Sequence, residues 1–273
     1  MPKILHFTIS CTAAFSREIQ MNQSPHIVVL TATITPAAGM PGTLRSDPAV
    51  RLKDYCDAFR FYASLPHRAV DKILVLENSG ADLDVFRRIV NEEKVDKKVE
   101  YISISSAYDA TKGKGYGEFL MLDEGLAKST LCTSASKIWK ITGRLKILNL
   151  ADLIKTAPSE YEIYCDLRDV PFVGEKLGGN QWMELRLFSF NLLGYDRFFR
   201  NRFDADYVLE KPFFETLEGE VRKGNRSVVP RFRVQPILDG FSGHSNLDYS
   251  GPKDKAKNIL RSVFRRLAPR LWL

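Results

Sequence analysis

Four short strand-like runs alternate with helical periodicity across the first 150 residues, and this alternation limits the fold more than any other feature. The runs are HIVVLTATI from His26, KILVLENS from Lys72, VEYISIS from Val99 and KIWKITGR from Lys137. The first is strongly apolar and β-branched and ends in small polar residues, as a buried parallel strand does. Between the runs lie LRSDPAVRLKDYCDAFRFYASL, ADLDVFRRIVNEE and EFLMLDEGLAKS. In the first of these, Ser46 or Asp47 is placed to cap a helix with Pro48 at its first position. Val50, Tyr55, Ala58, Phe59, Tyr62 and Leu65 then follow one face. Strand–helix repetition of this kind predicts an α/β fold with a mostly parallel central sheet and helices on both faces.

In open α/β sheets, ligands bind beyond the carboxyl ends of the strands. Those ends read TATITP, ENSG, SSAYDATKGKGYGE and TGR, all small, polar or glycine-containing. The third places Lys112, Lys114 and three glycines directly before a helix. Glycines let backbone N–H groups approach an anion, and a helix N-terminus adds partial positive charge. The spacing matches neither the P-loop nor the dinucleotide fingerprint, so a plain turn competes with a phosphate loop.

Beyond residue 150 the pattern loosens. YEIYCDLRDVPF reads as a strand, WMELRLFSFNLLGYDRFFRNRF as a strand passing into a helix, DADYVLEKPFFETLEGEVRKG as a helix, and SVVPRFRVQPILDGFSGHSNLDY as strand and loop. No linker divides the chain. The expected layout is an extension over 1–24, of which residues 1–20 pack weakly, with Met1 and Met21 as alternative starts, then one domain over 25–250. That domain has a nucleotide-binding half (25–150) and an acceptor half (151–250), and a helix over 251–273 follows.

The four cysteines are far apart, which signals neither a zinc site nor a disulfide framework. No apolar run is long enough to span a membrane. The net charge of +7 is concentrated at the end, where residues 253–273 carry seven basic residues and one acidic. Ala256, Ile259, Leu260, Val263, Phe264 and Leu267 form a single helical stripe there, Pro269 should end the helix, and Leu271, Trp272 and Leu273 follow. A basic amphipathic helix of this kind suits an anionic membrane surface. The alternatives are a helix docked on the domain or a nucleic-acid contact, and the polar strand ends argue against a purely electrostatic nucleic-acid binder.

VVLTATI, LVLENS, GKGYGE and KIWKITGRLKILN, with DLRD and YVLEKPF later, together resemble the GT-A glycosyltransferases of bacterial surface-polysaccharide synthesis (O-antigen and capsule), over residues 27 to about 250. The resemblance implies a nucleotide-sugar donor, with UDP as the default nucleotide, and a lipid-linked oligosaccharide acceptor. It also implies a cytoplasmic enzyme, peripheral on the inner face of the cytoplasmic membrane. A sugar-nucleotide nucleotidyltransferase is the competing enzyme, and a non-catalytic nucleic-acid or membrane-surface module is the competing binder.

On this resemblance Thr31, Ala32 and Thr33 leave room for a nucleotide, and Glu77 and Asn78 bond its base or ribose. Lys112, Lys114 and Gly115 form the pyrophosphate loop, while Thr142, Gly143 and Arg144 bring a guanidinium to the phosphate. TGR stands where an acidic D-x-D motif is expected. Either Asp166 and Asp169 of CDLRD hold Mg2+ or Mn2+, or Arg144, Lys112, Lys114 and Arg168 neutralise the diphosphate without metal. A surface turn with an internal salt bridge is the other reading of DLRD. Glu210 is the first choice for the catalytic base because an apolar setting raises a carboxyl pKa, and Glu184 is the second. His244, in a glycine-flanked loop, is placed to close over the diphosphate or to complete a metal site.

Overall fold

The computed structural model describes residues 25–67, 69–105, 109–169, 180–203, 208–249, 251–268 and 272. The expectations for residues 1–24, Met21 included, lie outside the described residues.

The strands expected in the first half form as β1 (His26–Ala32), β2 (Lys72–Glu77), β3 (Lys98–Ser103) and β4 (Lys137–Thr142). Later come β5 (Lys146–Ile147), β6 (Ile163–Tyr164), β7 (Leu167–Arg168), β8 (Trp182–Met183), β9 (Leu187–Phe190), β10 (Val228–Val229) and β11 (Leu238–Asp239). Seven of them make the central sheet, in the order β10-β6-β9-β4-β1-β2-β3. β1 lies parallel to both β2 and β4, and β2 is parallel to β3. β9 runs antiparallel between β4 and β6. The sheet is therefore mostly parallel, and both halves of the chain contribute to it.

Alternate strand residues build two cores. Ile27, Val29, Leu74, Leu76 and Ile138 face one side, with Val28, Leu30, Ile73, Val75 and Trp139 on the other. Each such side chain, fully buried, contributes roughly 1.5–3 kcal/mol. α1 (Pro48–Ser64), α2 (Asp84–Glu92) and α4 (Leu150–Thr156) cover the second face. α3 (Gly113–Lys128), α5 (Leu192–Phe198) and α6 (Glu210–Arg222) cover the first. The last helix is α7 (Pro252–Leu267).

Asp47 caps α1, its carboxylate accepting from the N–H groups of Ala49 (2.8 Å) and Val50 (3.1 Å). The helix ends where extended Leu65 precedes Pro66. Tyr62 on this helix is fully buried; its hydroxyl donates to the Leu145 carbonyl (2.8 Å) and accepts from the Ile147 N–H (2.9 Å). That pair of bonds fixes the turn after β4.

Two expectations need correction here. The lysine–glycine stretch is not a loop ahead of the helix. Gly113, at φ +84°, opens α3, so Lys114, Gly115 and Gly117 occupy its first turns, after a 3₁₀ turn at Ala110–Lys112. The second concerns the tail, whose apolar stripe does not dock on the domain as the alternative reading had it and whose last tryptophan is not free. α7 packs through Asn258, Arg261 and buried Arg265, while Ile259, Leu260, Val263 and Leu267 face solvent. Trp272 is not part of an exposed apolar end. Its carbonyl accepts from the Asp169 N–H (2.8 Å) and its ring meets Phe214 edge-on. Leu271 and Leu273 lie outside the described residues.

Candidate active site

β1 and β4 end side by side, and the contact between them leaves no room for a side chain at the first residue beyond β4. The Gly143 N–H donates to the Thr31 carbonyl at 2.9 Å, and a Cβ at Gly143 would stand 2.8 Å from that oxygen. Glycine here lets the chain turn at once and send Arg144 into the crevice beyond the strand ends. The Arg144 Nη1 donates to the Phe241 carbonyl (3.1 Å), whereas its buried Nε has no partner. Burial pushes the guanidinium pKa down, and Tyr55, Arg51, Tyr249 and Glu118 surround it. Gly243 lies directly on the guanidinium, since a Cβ there would fall 2.5 Å from Nη2. The segment 240–249 is thereby a roof over Arg144. The Gly243 carbonyl accepts from the N–H groups of Leu44 and Arg45, which joins the roof to the loop after β1.

Beneath this crevice sits a buried ion pair absent from the sequence reading. The Lys140 ammonium, completely buried in β4, is 2.8 Å from the Glu118 carboxylate in α3 and donates to the Leu185 carbonyl (2.6 Å). Thr31 and Thr142 donate to the same carboxylate at 2.5 and 3.4 Å. Burial by itself would raise the Glu118 pKa, but Lys140 and the hydroxyls hold it below its ordinary value. A lysine in the middle of an otherwise apolar strand run was the available signal, because such a charge is buried only when paired.

Lys114 and Glu210 lie within electrostatic reach of each other. Lys114 is exposed as a residue, yet its ammonium faces Arg144, Glu210, Glu118 and Arg186, and desolvation followed by Arg144 lowers its pKa. Glu210, the first residue of α6, has its pKa raised, chiefly by burial. The expected diphosphate lysine, the expected arginine and the first-choice base thus come from β4, α3 and α6 to one place.

Other expected residues have structural duties instead. Thr31 and Ala32 are buried and give a nucleotide no room. Thr33 donates to Asn78 Oδ1 (2.6 Å), while Asn78 Nδ2 donates to the Gly117 carbonyl (3.1 Å). Glu77 is fully buried, accepting from the N–H groups of Ile34, Ser79 and Ala81, so it ties the loops after β1 and β2 together and is closed to a base or ribose. Gly115 packs against Leu209, and the Lys112 ammonium lies 4.5 Å from the Tyr116 ring centre. Tyr116 itself packs edge-on against Phe203. His244 is exposed in the roof.

The acidic expectations change most. Glu184 is buried between Arg186 (Nε 2.6 Å) and Arg168 (2.8 Å). Burial would raise its pKa, but the two guanidinium groups hold it far below the carboxylate range, which removes it as a base. DLRD is not an internal salt-bridge turn either, because Arg168 reaches Glu184. Asp166 is also closed. It is buried and accepts from Arg265 through both oxygens (Nη1 at 2.9 Å, with Nη2 on the other), and from the Phe232 N–H at 3.0 Å. An aspartate so occupied does not fit a metal ligand. The neighbouring Asp169 uses its backbone N–H to bond Trp272. Among the described residues, no three His, Cys, Asp or Glu side chains gather as a metal site.

No known protein family matches the chain, and no curated protein matches it in sequence. Among solved structures it is similar to the inositol-1-phosphate CTP transferase from T. maritima, with 13% identity, 89% of this chain and 96% of that chain covered, and a TM-score of 0.46. It is also similar to the glycosyltransferase GlyE of Streptococcus pneumoniae TIGR4, with 11% identity, 76% and 41% covered, and a TM-score of 0.40. The galactosyltransferase LgtC gives 11% identity, 76% and 67% covered, and a TM-score of 0.38.

Proposed function

We propose that the crevice binds the diphosphate of a nucleotide sugar and that the protein is a glycosyltransferase. The observation that carries this reading is Arg144, a guanidinium placed at the strand end with a buried Nε that has no protein partner. A desolvated, unfilled donor beside Lys114 suits an incoming phosphate oxygen. In the transfer, the Glu210 carboxylate takes the proton of the acceptor hydroxyl. The hydroxyl oxygen bonds to the anomeric carbon as the bond from that carbon to the diphosphate oxygen breaks. The negative charge released on the diphosphate is met by Arg144 and Lys114. The raised pKa of Glu210 suits a base that must hold the proton. Side-chain cations supply the neutralisation in this reading, since Asp166 is already occupied.

UDP is the proposed donor nucleotide and a lipid-linked glycan the proposed acceptor, in surface-polysaccharide synthesis. The outward stripe of α7, flanked by exposed Lys253, Lys255, Lys257 and Arg266, supports a position on the anionic inner face of the cytoplasmic membrane. No helix among the described residues is long and apolar enough to cross a membrane.

The test is thermal stabilisation by UDP, GDP, CMP and oligonucleotides, followed by product analysis with UDP-sugars and a synthetic acceptor. Saturable binding of a nucleoside diphosphate and its release during transfer are expected. Release of pyrophosphate from a nucleoside triphosphate would identify nucleotidyl transfer instead, and a response to oligonucleotides alone would discard both enzymes.

A further inference from the structure

Between α7, the start of β9 and the segment 235–249 lies a cavity of about 190 Å³. Arg168 and Arg186 line it from the sheet side, Lys257 and Arg261 from α7, with Glu184 and Asp254 among them. Asp166 reaches the wall too, but Arg265 holds both of its oxygens. Four cationic side chains thus stand against two available carboxylates, a surplus of two positive charges.

Arg261 is where the imbalance concentrates. Among the described residues it makes no hydrogen bond or ion pair. Burial, and then Arg168, push its pKa down to about 10. A half-buried guanidinium with no counter-ion bonded to it is unfavourable, and the nearby carboxylates of Asp166 and Glu184 are already bonded to other arginines. Arg186 gives Nε and Nη2 to Glu184 and bonds Tyr249 as well, whereas Arg168 gives only Nη2 to Glu184 and keeps its other N–H groups for a second oxyanion. A surplus of two charges suits a dianion better than a carboxylate.

We propose that this cavity is a phosphate site, separate from the Arg144 crevice and bordering it through Arg186, which also faces Lys114. Under the transferase reading, on which this assignment rests, the phosphate is one borne by the acceptor, because the donor diphosphate lies against Arg144 and Lys114. Arg261 is its principal ligand, and α7 is then a wall of the acceptor site as well as a surface element.

The test is calorimetric titration of the full chain with inorganic phosphate at fixed ionic strength in chloride. The expected result is a site that persists in Arg144→Ala and is weakened roughly tenfold or more in Arg261→Gln. Without phosphate, Arg261→Gln should melt no lower than the parent, since no protein partner is lost. No phosphate binding by the parent, undiminished binding in Arg261→Gln, or a lower melting temperature for that variant overturns the site. Vesicles of phosphatidic acid against phosphatidylcholine separate the sources. Vesicle capture lost in Arg261→Gln assigns the phosphate to a lipid headgroup, while capture retained assigns it to a glycan-borne or free phosphate. UDP is titrated separately: a parent that ignores UDP but binds phosphate through Arg261 refutes the donor reading and supports this site.

Discussion

Arg265 and Arg144 are both drawn into the protein and are treated in opposite ways. Arg265 gives its donors to both oxygens of Asp166, to Gln235 Oε1 (2.8 Å) and to the Phe232 carbonyl (2.7 Å). Arg144 gives one bond to the Phe241 carbonyl and leaves a buried Nε empty. The first arrangement is complete without a ligand and joins α7 to the sheet. The second is incomplete and sits where the strand ends and their loops converge. An arginine saturated by its own chain holds structure, whereas one desolvated but unsaturated favours an anion from outside.

The sharpest way to break this contrast is Arg265→Ala. It leaves Asp166 buried without its counter-ion, and roughly 3–5 kcal/mol of stability should be lost, read by denaturant unfolding. Deleting 253–273 removes Arg265 and should destabilise the domain, so membrane binding is better tested by Ile259→Ser with Leu267→Ser. A loss for Arg265→Ala of under about 1 kcal/mol would erase the distinction.

Glu210→Gln tests the chemistry on the unsaturated side. Turnover should fall about a hundredfold or more while fold and UDP affinity persist, because only proton acceptance is removed. Ordinary turnover in this variant would move the base elsewhere, though not to Glu184, which its two arginines hold ionised.

Arg144→Ala should have the reverse profile to Arg265→Ala. UDP binding should weaken by about 1–3 kcal/mol, with Lys114→Ala similar, while the melting temperature stays level. Unchanged calorimetric affinity in both variants would place the diphosphate outside this crevice.

The smallest expected effect is a pH dependence. Glu210 has a folded-state pKa above its ordinary 4.5, so the folded state holds this proton more tightly than the unfolded one. The associated stability is present below pH 4.5 and declines as pH rises through the raised value. Parent and Glu210→Gln should therefore diverge in melting temperature over that window, with the variant gaining relative to the parent as pH rises. A constant difference would mean that Glu210 titrates normally.

The local pattern of the chain was enough to determine the architecture of the first half. β-branched runs, amphipathic helices and the Asp47 cap each depend on near neighbours, so they can be read directly. The second half was harder because its strands are two to four residues long and pair mostly with partners well removed in the chain. The candidate site was legible in part. Arg144, Lys114 and Glu210 converge because strand ends and helix starts share one edge of the sheet. Which charges are already satisfied was decided by the tertiary structure alone. Glu77, Asp166 and Glu184 look like ligands in sequence, but their partners are distant in the chain or unmarked by any local pattern, and so is the Lys140–Glu118 pair. The orientation of α7 was decided the same way. Its stripe is plain in the sequence, yet Asp166, nearly a hundred residues earlier, turns Arg265 inward and leaves the apolar face outside. Periodicity describes which residues share a helix face, and only the partner charge decides which face is buried.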